Sequence, residues 1–164
     1  MTTVELSFKE KVLEDYLRWI MKSPKGEINI KTKFALGKFI ISQVKPASVP
    51  RKSFSYGDVA TIRIPLANLK KEQQFLYFNE FSTEQINKAL AFYFDLDFRQ
   101  FCVSGREKGI KTHIIIKSFM RMHNITNTDD LFERLKKRDY RRRELLDNYL
   151  ASGVKLIESE LYIV

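Results

Sequence analysis

The sequence predicts an α+β protein in which a small antiparallel sheet is packed by an N-terminal helix and followed by a C-terminal helical region of about three helices. Three observations carry this expectation. Residues 8–22 repeat apolar side chains at helical spacing, residues 28–34 and 59–66 have the alternation or β-branched content of strands, and residues 83–150 form a succession of helical repeats broken by Gly and Asn. With 164 residues, 44% of them hydrophobic, including 13 Phe and 7 Tyr, the chain has enough apolar volume for a core, which excludes wholesale disorder. The expected organisation is a first part, residues 1–70, holding the N-terminal helix and the sheet. A second part, residues 71–164, holds the helices, and the two pack as one compact unit.

Ser7 and Glu10 stand at capping-box spacing, so a helix is expected to start there, each side chain reaching the other's otherwise unpaired amide. Val12, Leu13, Tyr16, Leu17, Trp19 and Ile20 form its apolar stripe, while Lys9, Glu10, Glu14, Asp15 and Arg18 fall mostly outside it; Ser23, Pro24 and Gly26 end it. Ile28, Ile30, Thr32 and Phe34 then alternate with Asn29, Lys31 and Lys33, the pattern of a half-exposed strand with a basic outer face. Residues 39–44 and 59–66 are further strand candidates, with Gly37 turning the first pair into a hairpin. Residues 45–57, which include Pro46 and Pro50, are expected to form a loop. In that loop Arg51 and Lys52 stand beside Phe54 and Tyr56. This is either the mixture of cations and flat rings that holds a nucleic-acid strand, or a loop pinned by its rings with its charges merely solvated.

Ser82 and Gln85 repeat the capping-box spacing, with Phe81 placed to staple onto Ile86. The helix that follows, residues 83–103, carries Ile86, Ala89, Leu90, Tyr93, Phe94, Phe98 and Phe101 in its core stripe, with Asp97 among them; Gly105 and Gly109 mark its end. Residues 110–123 make the next helix, with Lys111, Lys117 and Arg121 along one edge. The order of helix, Gly-containing turn and basic third helix is compatible with a helix-turn-helix unit, but any three-helix packing gives the same spacings and the turn flanked by Gly105 and Gly109 is longer than the compact kind, which favours a structural helical subdomain.

Residues 129–150 make the last helix. At about 100° per residue, Leu131, Leu135, Leu146 and Tyr149 share one face, and Arg138 and Arg142 fall on it as well. Either the helix breaks near Asp139, or these arginines engage carboxylates such as Asp97, or this part projects beyond the core. Lys136, Lys137, Arg141 and Arg143 lie off the stripe in any continuous helix.

The net charge is +9, and two segments, residues 27–71 and 106–143, each carry a surplus of seven positive charges. Clustered cations concentrate polyanions. The expected function is therefore a non-enzymatic nucleic-acid-binding or regulatory protein. The candidate contacts are Lys136, Lys137, Arg141 and Arg143, then Lys111, Lys117 and Arg121, then Arg51 and Lys52, since Arg and Lys are the side chains that hold phosphate. The alternative is a structural or interaction component of a larger assembly, such as a phage or other mobile-element particle. Its basic faces would meet acidic protein, and the apolar tail 161–164 would dock on a neighbour.

Other chemistries find no pattern. There is no phosphate-cradling Gly-rich loop, no nucleophile elbow and no dinucleotide fingerprint, so neither a cofactor nor a catalytic residue is expected. His113 and His123 are ten residues apart and Cys102 is the only cysteine, which argues against a metal site and an internal disulfide and fits a reducing compartment. Asp95 and Asp97, two apart on a helix, point in different directions and make no carboxylate pair. No run is long and apolar enough for a membrane span, and residues 1–8 lack a signal-peptide pattern, so the expected location is the cytoplasm.

Overall fold

The computed structural model describes residues 2–65, 75–126 and 128–161, with side chains followed to Gly153. It is a mixed α+β protein with five helices and two small sheets among the described residues. By contact density it divides into two compact units. The first comprises Met1–Phe98 and Met120–Thr126, the second Arg99–Phe119 and Asn127–Val164.

The chain opens with a strand that the sequence pattern did not suggest. In β1 (Thr2–Ser7), Val4 and Leu6 face inward while Thr3 and Glu5 are exposed. It pairs antiparallel with β4 (Val59–Ile64), from Thr2 opposite Ile64 to Ser7 opposite Val59. The short β2 (Ile28–Asn29) lies on the other side of β4 and runs parallel to it, so the expected antiparallel sheet is mixed at this one pair. A separate antiparallel ribbon joins β3 (Lys45–Ala47) to β5 (Phe75–Tyr77). Ser7 is not a helix cap. Its hydroxyl donates to the Asp58 carbonyl at 2.7 Å and accepts the Tyr56 amide at 2.8 Å, closing the end of the β1–β4 ladder.

Helix α1 (Lys11–Met21) buries Val12, Leu13, Tyr16, Leu17 and Met21, much as its periodicity requires. Trp19 and Ile20 are only half-buried, whereas Glu14 and Asp15, expected outside the stripe, are buried. Both carboxylates are neutralised locally. Glu14 takes Lys11 Nζ at 2.9 Å and Arg18 Nε at 2.8 Å, and Asp15 takes Lys11 at 3.2 Å and the Thr126 amide at 2.9 Å. Desolvating a carboxylate is tolerable only with such partners.

The hairpin expected around Gly37 is instead a helix, α2 (Ala35–Gln43), burying Leu36, Gly37 and Ile40. Gly37 is obligatory there, because a Cβ would run into the Lys31 carbonyl oxygen. Helix α3 (Glu80–Glu107) starts one turn before the predicted capping box. Asn79 is its cap, accepting the Ser82 amide at 2.8 Å, and Phe81 is exposed rather than stapled on the fully buried Ile86. Buried Asn87 ties this helix to the sheet edge, donating to the Ser7 carbonyl at 2.9 Å and accepting the Lys9 amide at 2.8 Å.

Helices α1, α3 and α4 (Thr112–Met122) end alike. Lys22, Gly109 and Asn124 adopt positive φ, and the next amide reaches back to a carbonyl of the last turn: Ser23 to Arg18, Ile110 to Gly105, Ile125 to Met120. This left-handed stop satisfies carbonyls that the helix leaves unpaired. Gly105, expected to mark the end of its helix, lies inside α3, where a Cβ would come within 2.7 Å of Ile115 Cγ1 and Cδ1. Its role is close packing of α3 against α4 within the second unit.

Candidate nucleic-acid interface

Helix α5 (Asp129–Leu161) is continuous through the basic run, which removes the expectation of a break near Asp139. Thr128 caps it, its hydroxyl accepting the Leu131 amide at 3.2 Å, and Asp129 and Asp130 occupy the positive end of its dipole. Leu131 and Leu135 are buried, and one turn on so is Asp139, only 3% exposed. The stripe therefore accommodates a carboxylate, and the arginines expected on it behave differently: Arg138 is exposed and Arg142 half-buried.

Asp139 accepts a hydrogen bond from Arg106 Nη1 of α3 at 2.6 Å, while Arg143 Nε lies 3.3 Å from its other oxygen, an ion pair without hydrogen-bond alignment. Arg143 is accordingly half-committed to holding the fold. The nearby Cys102 is buried, and burial first, then the Asp139 charge, pushes its thiol up to about 12. A thiol that stays protonated is packing, not a nucleophile. Asp97, named as a partner for Arg138 or Arg142, accepts the Tyr16 hydroxyl of the first unit. Burial and that carboxylate push the Tyr16 phenol well above its usual range.

Along the flank of α5 away from Leu131 and Leu135 runs a groove of about 390 Å³ lined by Lys136, Lys137, Tyr140, Arg141 and Arg143, with Thr112 from the start of α4. Glu133 and Glu144 also line it, so its side-chain charge is positive but tempered. Lys136, Lys137 and Arg141 are exposed. Tyr140 is 60% exposed with the Arg143 guanidinium 6.0 Å from its ring. Tyr140 stands in the middle of the basic run, and only its exposure here marks it as a contact residue.

The other cations are dispersed. Lys111 is exposed just before Thr112, and its carbonyl accepts the Ile114 and Ile115 amides at the start of α4. Lys117 is exposed with its ammonium 6.0 Å from the Phe132 ring. Arg121 belongs to the first unit, so the edge it was expected to share with Lys111 and Lys117 is divided between the two units. Arg51 and Lys52, also in the first unit, line a separate cleft with Glu5, Thr3 and Thr61, and Arg51 lies over the Tyr77 ring at 5.5 Å. In their loop, Phe54 and Tyr56 pack edge to face at 5.0 Å. Their amides are anchored on Phe78 and Ser7, so these rings pin the loop rather than stand open for bases.

Among the described residues no cluster of His, Cys, Asp or Glu is arranged to hold a metal ion, and no helix is long and apolar enough to cross a membrane. His123 is buried with its ring 4.0 Å from that of Trp19. The apolar tail 161–164 lies outside the residues whose side chains are described. No family model matches the chain, and no curated protein or solved structure resembles it significantly.

Proposed function

We propose that this chain is a non-enzymatic nucleic-acid-binding protein of the cytoplasm, with the α5 flank as its principal contact. One observation carries the proposal: a single groove gathers Lys136, Lys137, Arg141 and Arg143 around an exposed aromatic ring. Cations hold backbone phosphates without reading sequence, and an open ring among them is where an unpaired base stacks. The cations occupy the middle of a 33-residue helix rather than the start of a recognition helix after a compact turn. The contact is therefore to the backbone, not by insertion of a helix end into the major groove.

Fluorescence anisotropy with labelled single-stranded and duplex oligonucleotides across a salt series tests this. About four phosphate contacts give a log–log salt slope near −3 to −4, roughly a 100-fold loss of affinity between about 50 and 200 mM salt. Replacing Lys136, Lys137 and Arg141 together by Glu is expected to reduce the slope by about three units while leaving helicity intact. Absence of binding at the lowest salt, or an unchanged slope in the triple variant, refutes the assignment.

A further inference from the structure

We infer that the first unit binds a small aromatic carboxylate in a pocket between the end of α1 and the start of α2. Lys22 takes the left-handed conformation that ends α1, and Phe34 is the cap from which α2 begins. The pocket lined from both has a volume of about 530 Å³, within the roughly 300–1,000 Å³ of small-ligand sites. Its walls are apolar: Trp19, Ile20, Pro24 and Phe34 line it, and the two rings and Ile20 are half-buried. Asn124, at the left-handed end of α4, adds to the lining from within the same unit. Rings and aliphatic side chains around a concavity favour a flat apolar body, since both surfaces then leave water.

Charge and free donors select the polar end of the ligand. Residues 18–34 hold Arg18, Lys22, Lys25, Lys31 and Lys33 against Glu27 alone, and Glu27 is paired with Arg63. The carboxylate in the lining, Asp15, is 8% exposed and already engaged, with Lys11 Nζ at 3.2 Å and the Thr126 amide at 2.9 Å. The negative helix ends are muted as well, because the Ser23, Lys22 and Ile125 amides take the carbonyls of Arg18, Trp19 and Met120. Donors are left over instead. Arg18 is fixed by Nε on Glu14 at 2.8 Å and by Nη1 on the Gly26 carbonyl at 2.9 Å, which leaves Nη2 without an acceptor among the described residues. Lys22 lines the same pocket, is exposed, and meets no carboxylate among the described residues. Glu14 balances Arg18, so Lys22 is the cation that remains to be neutralised. The match is one negative charge on an apolar ring, a carboxylate that an ammonium and a guanidinium edge both hydrogen-bond. A phosphate dianion exceeds that free charge, and an amine meets Lys22 with like sign. The inference does not depend on nucleic-acid binding.

The test uses Trp19, the only tryptophan of the chain, as its reporter. Its fluorescence, excited where a phenyl ring does not absorb, is titrated with phenylacetate, phenethylamine and phenethyl alcohol, which share the ring and differ in charge. Phenylacetate is expected to change the emission with a Kd of about 1 mM or below, and to bind about 10-fold or more tightly than the amine. Lys22→Glu is expected to weaken phenylacetate about 10-fold and to turn the preference toward the amine, with unchanged circular dichroism because Lys22 is exposed. Lys108→Glu, at an exposed cation of the second unit, makes the same change in net charge and is expected to leave the affinity as it is. Ile20→Ala, which shortens an apolar wall, weakens all three probes, and keeps the test valid if Lys22→Glu does not fold. No response of Trp19 to phenylacetate at about 10 mM, equal affinity for acid and amine, an affinity indifferent to Ile20→Ala, or a Lys22→Glu variant that behaves like Lys108→Glu would overturn the inference.

Discussion

Asp139→Ala removes a carboxylate that binds α3 to α5 within the second unit. The side chain is 4% exposed and holds Arg106 at 2.6 Å and Arg143 at 3.3 Å. Breaking a fully buried pair costs about 3–5 kcal/mol, because the surviving charge is left desolvated. Here the surviving cations are 30% and 41% exposed, so water recovers part of that. The lost charge-assisted hydrogen bond to Arg106, about 1.5–3 kcal/mol, therefore dominates, and the expected loss is about 2 kcal/mol. Arg106→Ala is expected to cost more, about 3 kcal/mol, since it strands the buried carboxylate instead. Arg143→Ala, removing a misaligned and more exposed partner, is expected to cost less than about 1 kcal/mol. Urea unfolding followed by far-ultraviolet circular dichroism measures all three. The order Arg106, Asp139, Arg143 is the diagnostic, and a loss under about 0.5 kcal/mol for Asp139→Ala would refute the pairing as a stabilising element.

Gly105→Ala sets a helix-propensity gain of about 1 kcal/mol against overlap with the buried Ile115, which costs about 1–3 kcal/mol; a net loss near 1 kcal/mol is expected, partly recovered by adding Ile115→Val, and thermal melting that shows a gain would exclude the close approach. Cys102 gives a pH dependence with a definite sign. In the folded chain its thiol is pushed up from 9.0 to about 12, so its contribution is full below pH 9 and is lost as pH rises toward 12, where only the unfolded chain is readily ionised. Urea melts from about pH 8 to about pH 10.5 are expected to show wild type losing more stability than Cys102→Ala, and parallel curves would mean that the thiol is accessible.

Three elements show how far local pattern reaches. The stripe of α1, the long run of α3 and the Ile and Val content of β4 were legible because each is a signal longer than its own noise, and so was the stop of α1 before Ser23, Pro24 and Gly26, whereas Gly105, read as the end of α3, lies inside it. Residues 39–44 were misread because Phe39, Ile40 and Ile41 are as much at home in a strand as in a helix. In the folded chain the Lys31 carbonyl lies where a Gly37 Cβ would be, a contact made by folding and absent from any spacing. Ser7 and Glu10 have the letters of a capping box, yet Ser7 closes a ladder with a strand whose nearest paired residue is Val59.

By itself, then, the sequence determined the α+β class, the helical second half, the charge surplus and the four cations off the α5 stripe, since each is a property of neighbours along the chain. Only the tertiary structure decided that those cations share one groove with Tyr140, that Phe54 and Tyr56 are tied down, and that Asp139 is the buried carboxylate gripped by Arg106. The physical reason is that desolvation and ion pairing depend on which residues meet in space. Helical repeat placed Asp139 on an apolar face, but an arginine thirty-three residues away makes that position tolerable.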